Sequence, residues 1–302
     1  MIHPFPIWFS RQRWLPYKTR RSLLKLICPQ MLKDYAFTCD FYGEGLGLRF
    51  SGNIVNYIDR LVYFCGAHEK YMLRFLQEYV VRLRAARQSL VYVDVGANSG
   101  NHTIFMSRLV DRVVAFEPFE RVRNQLKENL ALNNITNVTL HEFALGERDE
   151  QLPFYTAPET NLGAASFQPH HRTDNTLLGV LEVRKGDDVL CDIAGISIIK
   201  IDVEGFEKQV LSGLRQTIAR YRPLLIVELT PTTRDSIGDE VTFRALFPDR
   251  YCFYYFAAGC KDSGRYRLAP YRYGMTPKIE DVIACPEEML SVLEEVWVPP
   301  SL

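Results

Sequence analysis

From residue 89 onward, short apolar runs alternate with segments whose apolar positions recur every three to four residues. That alternation predicts βαβ units and a mostly parallel, doubly wound sheet. Leu90 to Val95 reads as a buried strand, Gly96-Ala-Asn-Ser-Gly100 as a glycine loop opening a helix over 102–110, and Arg112 to Phe116 as a second strand. Phe119, Val122, Leu126 and Leu130 share one helical face, and 138–143 forms a third strand. Residues 146–185 break the rhythm: Leu152 and Phe154 alternate, and a polar stretch holds Asn161, His170, His171 and Asp174, which predicts hairpins or a lid. A strand over 196–203, one helix over 206–221 and a strand over 223–229 resume the pattern. The tail, with Tyr251 to Phe256, Gly264 to Arg267 and a helical stretch near 286–295, supplies the last antiparallel strands.

Upstream, Tyr71/Met72, Phe75/Leu76, Tyr79/Val80 and Leu83 predict an amphipathic helix over 68–87. The segment 35–65 carries Tyr35, Phe37, Phe41, Tyr42, Phe50, Tyr57, Tyr63 and Phe64 among Gly43, Gly45 and Gly47. It reads as short strands or a cap, with aromatic rings available to an acceptor-side wall. The first 33 residues hold seven Lys/Arg and no Asp/Glu, interleaved with Trp8, Trp14 and Leu23. That composition suits a basic helix packed on the body, or peripheral contact with an anionic membrane surface. The expected organisation is therefore an N-terminal helical and aromatic extension over 1–88 and an α/β domain over 89–302.

Composition narrows the function. With 302 residues, 47% of them hydrophobic, disorder and low-complexity scaffolds are excluded. Lys+Arg and Asp+Glu both number 36, so no global field recruits nucleic acid. Seven cysteines without Cys-x-x-Cys spacing argue against zinc and against a disulfide framework, and fit a reducing, cytoplasmic setting. No apolar run approaches the ~20 residues that span a bilayer, and no signal peptide is expected.

In an open α/β sheet, ligands bind outside the carboxyl ends of the strands. Here those ends are acidic: Asp94 before the glycine loop, Glu117 after the second strand, Asp202-Val-Glu204-Gly205 after the 196–203 strand, and Glu228 in the 223–229 strand. The loop lacks the third glycine of the dinucleotide fingerprint, and an acid beside it repels a pyrophosphate. Such an acid suits a ligand carrying an ammonium group and a sulfonium, and S-adenosylmethionine is one. Glu117, 23 residues beyond Asp94, offers two acceptor oxygens to a pair of ribose hydroxyls.

Val93-Asp-Val-Gly-Ala-Asn-Ser-Gly100, Ala115-Phe-Glu-Pro118, Ala144-Leu-Gly146, Ile199-Lys-Ile-Asp-Val-Glu-Gly-Phe-Glu207 and Pro223-Leu-Leu-Ile-Val-Glu228 together resemble the FkbM family of S-adenosylmethionine-dependent methyltransferases, over roughly residues 50–230. Gly186-Asp-Asp188 departs from the family pattern, which puts local packing in question there. The resemblance implies a class I methyltransferase (Rossmann-like) fold and methylation of a hydroxyl on a small molecule, with a saccharide or glycolipid as the leading acceptor. It places Asp94, Gly96, Asn98, Ser99 and Gly100 around the methionine part of the donor and Glu117 on the ribose. Phe116, Phe143 and Ala144 are candidates to line the adenine.

An attacking alcohol must shed a proton, so Asp202 or Glu204 is the expected general base, steered by Glu228 or Glu207. Glu207 has a structural alternative, complementing the dipole of the helix it begins. Crowded carboxylates raise the pKa of at least one member, and magnesium is a candidate to relieve the same repulsion. His102, His141, His170 and His171 are further groups able to accept a proton or meet the acceptor. Two other readings stand beside this one: a dinucleotide oxidoreductase, opposed by the missing glycine and Asp94, and a non-catalytic methyltransferase-like module, opposed by the intact acids. Nucleobase methylation is disfavoured, because Asp202-Val-Glu-Gly205 stands where amino-methylating enzymes carry Asn-Pro-Pro-Tyr or a relative.

Overall fold

A computed structural model describes residues 16–42, 46–169, 175–257, 264–275 and 280–297. His170, His171, Asp174, Gly43, Gly45 and the first fifteen residues of the basic segment lie outside the described residues. The described chain opens with helix α1 (Tyr17–Ile27), the antiparallel pair β1 (Ala36–Phe41) and β2 (Leu48–Asn53), and helices α2 (Tyr57–Cys65) and α3 (Lys70–Ala86). Two βα units follow: β3 (Val91–Val95), α4 (Asn101–Ser107), β4 (Arg112–Phe116), α5 (Glu120–Leu132), ending in β5 (Val138–His141). β6 (Ala144–Gly146), β7 (Glu150–Thr156) and β8 (Thr176–Lys185) pair with one another in a separate small sheet. Next come α6 (Gly186–Leu190), β9 (Ile196–Ile201), α7 (Glu207–Gly213), α8 (Arg215–Tyr221) and β10 (Leu224–Leu229). The chain then runs through α9 (Pro231–Ile237), α10 (Glu240–Arg244), β11 (Tyr251–Phe256), β12 (Leu268–Pro270), β13 (Glu280–Pro286) and α11 (Leu290–Trp297).

The main sheet has the order β12-β11-β13-β10-β9-β3-β4-β5. Its five strands from β10 to β5 are parallel, and β13 inserts antiparallel between β10 and β11. Counted along the chain, the parallel strands run 3-2-1-4-5, a Rossmann-like order whose switch point lies between β3 and β9. Alternate residues of each strand feed two cores, as the two-residue period of a strand requires. Tyr92, Val113, Ile198, Leu224 and Ile226 join one core; Val93, Val114, Ile199, Ile201, Leu225 and Val227 join the other. With both faces covered, the near-continuous apolar runs seen in the sequence are what such strands need.

The boundary expected at residue 88 separates chain segments but not cores. α3 lays Phe75, Leu76 and Tyr79 onto the first sheet face, and Phe37, Phe41 and Phe50 of the hairpin continue the same cluster. α1 docks through Leu24 and Arg20, whose guanidinium donates to the Phe64 carbonyl at 2.6 Å, while Leu26 and Ile27 stay exposed. Asn129 on α5 ties hairpin to loop: its amide nitrogen donates to the carbonyls of Ser51 and Ser99, and its Oδ1 accepts the Ser51 N–H at 2.7 Å. Asn129 is fully buried, so Asn129→Ala leaves these groups unsatisfied and is expected to cost about 1–3 kcal/mol. Urea unfolding checks this, and the shared core predicts one transition rather than two.

Four local expectations are corrected. Residues 57–65 form a helix, closed by Gly66 at φ 91°, where strands or tight turns were expected. The third strand ends at His141, because the chain leaves the main sheet for the small one. The single helix expected over 206–221 breaks at Leu214 (φ −106°, ψ 11°). A Cβ on Gly213 would stand 1.8 Å from the Gly146 carbonyl oxygen, so α7 and β6 meet backbone to backbone at that point. Gly264 to Arg267 precedes β12 instead of forming a strand, and β13 lies further on. At the family departure, Gly186 packs against Leu214, and Asp187 accepts the N–H groups of Gln216 and Thr217 at the start of α8.

Candidate active site

The carboxyl ends of β3, β4, β9 and β10 open into a cavity of about 360 Å³, within the size range of small-ligand sites. Two backbone features build it. Gly96 and Ala97 both donate to the Phe116 carbonyl at 3.0 Å, and the Asp202 N–H donates to the Val95 carbonyl at 3.0 Å, which stitches three strand ends together. Gly96 has φ 87°, and a Cβ there would lie 1.8 Å from the Asp202 carbonyl oxygen. Only glycine lets the β3 loop and the end of β9 come that close.

Glu117 sits on the cavity wall and is 6% exposed. Its two oxygens accept the N–H groups of Asn98 at 2.8 Å and Phe119 at 2.9 Å, so the carboxylate is held in one orientation, and each oxygen keeps a lone pair. Burial, only partly offset by those two N–H groups, raises its pKa to about 7. Phe116, Phe119, Ala144, Phe154, Phe167 and Phe206 line the cavity beside it. Phe119, Phe154, Phe167 and Phe206 form a continuous run with ring centroids 4.9–5.8 Å apart.

Asp202, Glu204 and Glu228 line the same cavity, joined by Lys200, Glu69, His68 and His102. Lys200 had no assigned role in the sequence reading. Its ammonium is 2.8 Å from Asp202 Oδ2 and nearly fully buried, and it also faces Asp94 and Glu69. Burial acts upward on Asp202, but the Lys200 ammonium outweighs it and holds the carboxyl below the usual range. Glu228 goes the other way: burial, reinforced by Asp202 and Glu204, pushes it well up. Asp202 is thus the member held down and Glu228 the member pushed up.

The carboxylate oxygens of Asp202, Glu204 and Glu228 come within 4.8 Å of one another, a spacing a metal ion can use. The Lys200 ammonium already binds one of these carboxylates, at 2.8 Å from Asp202 Oδ2. The cluster carries its own cation.

Several sequence candidates lie off the cavity wall. Asp94 is beneath it, accepting from Thr103 at 2.6 Å and facing Lys200. Ser99 donates to Asp59, and Gly100 makes room for Leu126. Glu207 is fully buried under the 202–206 loop, accepting from Val203 N–H, Gly205 N–H and Thr233 Oγ1, so it fixes the loop that presents Asp202 and Glu204. His141 stacks on Phe116 at 4.8 Å, and Phe143 packs beside both rings. His102 does line the cavity, with Nε2 3.5 Å from Glu69 Oε2. Burial, then Lys200 and His68, drive its pKa well down, so the imidazole is neutral.

Glu69 and His68 were missed as site residues, since they come from the N-terminal segment, whereas Tyr57 belongs to the aromatic set expected at an acceptor-side wall. The reciprocal pairing of the Asn101 side chain with the backbone of His68, the His102–Glu69 contact and the Tyr42–Phe105 ring contact bring that segment against α4. Among the described residues, no helix is long and apolar enough to cross a membrane.

Comparison with known proteins gives the family of the chain. The sequence profile of the methyltransferase FkbM domain matches residues 94–251. "Methyltransferase 1" of Beauveria bassiana is 28% identical over 178 residues, 52% of this chain and 70% of that protein. "2-O-methyltransferase NoeI" of Sinorhizobium fredii is 27% identical over 151 residues, covering 44% of this chain and 60% of the relative's length. The crystal structure of a methyltransferase FkbM from Methylobacillus flagellatus aligns with a TM-score of 0.42 at 20% identity, over 65% of this chain and 43% of that one.

Proposed function

Since the chain belongs to the FkbM methyltransferase family, we propose that it binds S-adenosylmethionine in the strand-end cavity and methylates a hydroxyl of a saccharide or glycolipid. The observation that carries the donor assignment is Glu117. A carboxylate fixed by two backbone N–H groups, with one lone pair left on each oxygen, is shaped for two adjacent hydroxyl donors, and the aromatic run beside it suits a purine. Among the described residues, the Lys200 ammonium on this wall is already engaged by Asp202, and the neighbouring acids disfavour a pyrophosphate. When bound, S-adenosylmethionine supplies a methyl group on a positively charged sulfur, which the ionised Asp202 and neighbouring Glu204 favour electrostatically.

In this reading Glu117 holds the ribose, while Gly96 and Asn98 line the methionine side. Asp202 orients the acceptor hydroxyl and receives its proton. Lys200 engages Oδ2 of Asp202 and keeps the carboxylate ionised. The hydroxyl acceptor is supported by the Sinorhizobium relative being named a 2-O-methyltransferase and by the absence, after β9, of a side-chain set that grips a base amine.

Calorimetric titration with S-adenosylhomocysteine, followed by tritiated methyl transfer to fractionated cellular saccharides and lipids, tests this reading. Saturable binding and label in a saccharide fraction are expected; binding of a nicotinamide dinucleotide instead would overturn it. The donor affinity also carries a pH signature. Hydroxyl donors prefer the ionised carboxylate, so protons compete with the ligand below the Glu117 pKa of about 7. The Kd for S-adenosylhomocysteine is expected to be level above pH 7 and to rise toward about tenfold per unit below it. Glu207, also raised to about 7, is separated by Glu117→Gln, which should bind weakly and lose this dependence.

A further inference from the structure

The segment 35–65 holds eight aromatic residues, and the structure sorts them. Phe37, Phe41, Phe50, Tyr63 and Phe64 are buried in the core, and Tyr35 and Tyr42 are packed against it. Tyr57 alone among the eight both lines the cavity and stands exposed, at 41%. It opens α2, and its ring is held from two sides. The Arg60 guanidinium lies 5.6 Å from the ring centroid, itself anchored by donating to the Ile54 and Val55 carbonyls, and the His68 ring meets Tyr57 edge-on at 6.1 Å.

The position of this ring along the cavity follows from its neighbours. His68 Nε2 lies 3.8 Å from Glu69 Oε1, and Glu69 in turn reaches His102, all three lining the cavity with Asp202. Tyr57 therefore stands on the carboxylate side of the cavity, whereas Phe119 and Phe154 border Glu117. At about 360 Å³ the cavity is at the small end for ligand sites, so a nucleoside-sized donor fills it and the acceptor must dock at its mouth.

We infer that Tyr57 is the acceptor platform: a half-exposed ring at the mouth on which the C–H face of a pyranose packs, while Asp202 and Glu204 accept from its hydroxyls. The chemistry of the wall suits a saccharide, because an amphipathic ring shares the cavity with several hydrogen-bond acceptors, so that a C–H face and hydroxyls of one molecule both find partners. This inference rests on the methyltransferase reading of the same cavity and names its acceptor class and a specificity residue.

The test uses the full chain, saturated with S-adenosylhomocysteine, and a panel of methyl pyranosides observed by saturation-transfer difference NMR with irradiation of aromatic protons. Transfer to the axial ring protons of at least one pyranoside is expected in the wild type and in Tyr57→Trp, and loss of it in Tyr57→Ala. With the labelled saccharide fraction as acceptor, Tyr57→Ala should raise the acceptor KM about tenfold, with kcat and the S-adenosylhomocysteine Kd within about twofold. Tyr57→Phe separates stacking from hydroxyl bonding and should stay near wild type. Normal S-adenosylhomocysteine binding with no pyranoside contact, or with contact untouched in Tyr57→Ala, would overturn the platform and leave the donor site standing. Failure of S-adenosylhomocysteine to bind the wild type overturns the methyltransferase reading itself.

Discussion

Asp202→Asn is expected to lower methyl transfer by about 10²- to 10⁴-fold, the usual span for loss of a general base, while the Kd for S-adenosylhomocysteine moves only a few-fold. The argument is electrostatic. Of the cavity carboxyls on β9 and β10, Asp202 is held ionised by the Lys200 ammonium 2.8 Å away, whereas burial and the neighbouring acids push Glu228 up. The amide preserves shape and can still accept a hydrogen bond, but it cannot take a proton. Lys200 retains Asp94 and Glu69 as countercharges in the variant, so the fold survives the exchange and thermal unfolding should confirm it. Single-turnover transfer of a tritiated methyl group separates chemistry from binding. Full activity in Asp202→Asn would remove the base assignment and turn attention to the neutral His102.

Glu117→Ala should weaken S-adenosylhomocysteine by about 100-fold or more, with little change in the acceptor KM. Two hydrogen bonds from hydroxyls to a buried carboxylate contribute about 1.5–3 kcal/mol each, and the smaller figure for both already amounts to two orders of magnitude. The variant also frees the N–H groups of Asn98 and Phe119, which loosens the loop that borders the donor. Glu117→Gln helps to divide the two contributions, since one amide oxygen can still satisfy a backbone donor. Calorimetry reads both variants. Unchanged affinity in Glu117→Ala would mean that the ribose lies elsewhere.

The division between what sequence shows and what it hides is physical. Burial on both faces demands continuous apolar runs in the strands and a three-to-four spacing in the helices, so β3, β4, β9, β10, α3 and α5 are all legible locally. The same holds for the acids ending those strands, since parallel strands of one sheet must all end at one rim. That is why Glu117, Asp202, Glu204 and Glu228 were readable as neighbours before any fold was known, and the structure places all four on one cavity.

What stayed hidden depends on contacts between elements remote in sequence. Lys200 sits in an apolar strand and looks like a solvated interruption, until the crossing of β9 between β3 and β10 buries its ammonium among the acids. Gly96 reads as a ligand-facing loop glycine; its required closeness is to the backbone of Asp202, more than one hundred residues away. Nor does composition distinguish Tyr57 from the seven other aromatics of its segment, because whether a ring is core or cavity wall is decided by what packs over it. Local pattern thus determined the elements, their order and the acidic rim, through rules that act within a few residues. Only the assembled chain decided which acid is held down and which is pushed up, which glycine is indispensable and which ring lines the cavity, because desolvation and close backbone approach exist only once distant segments touch.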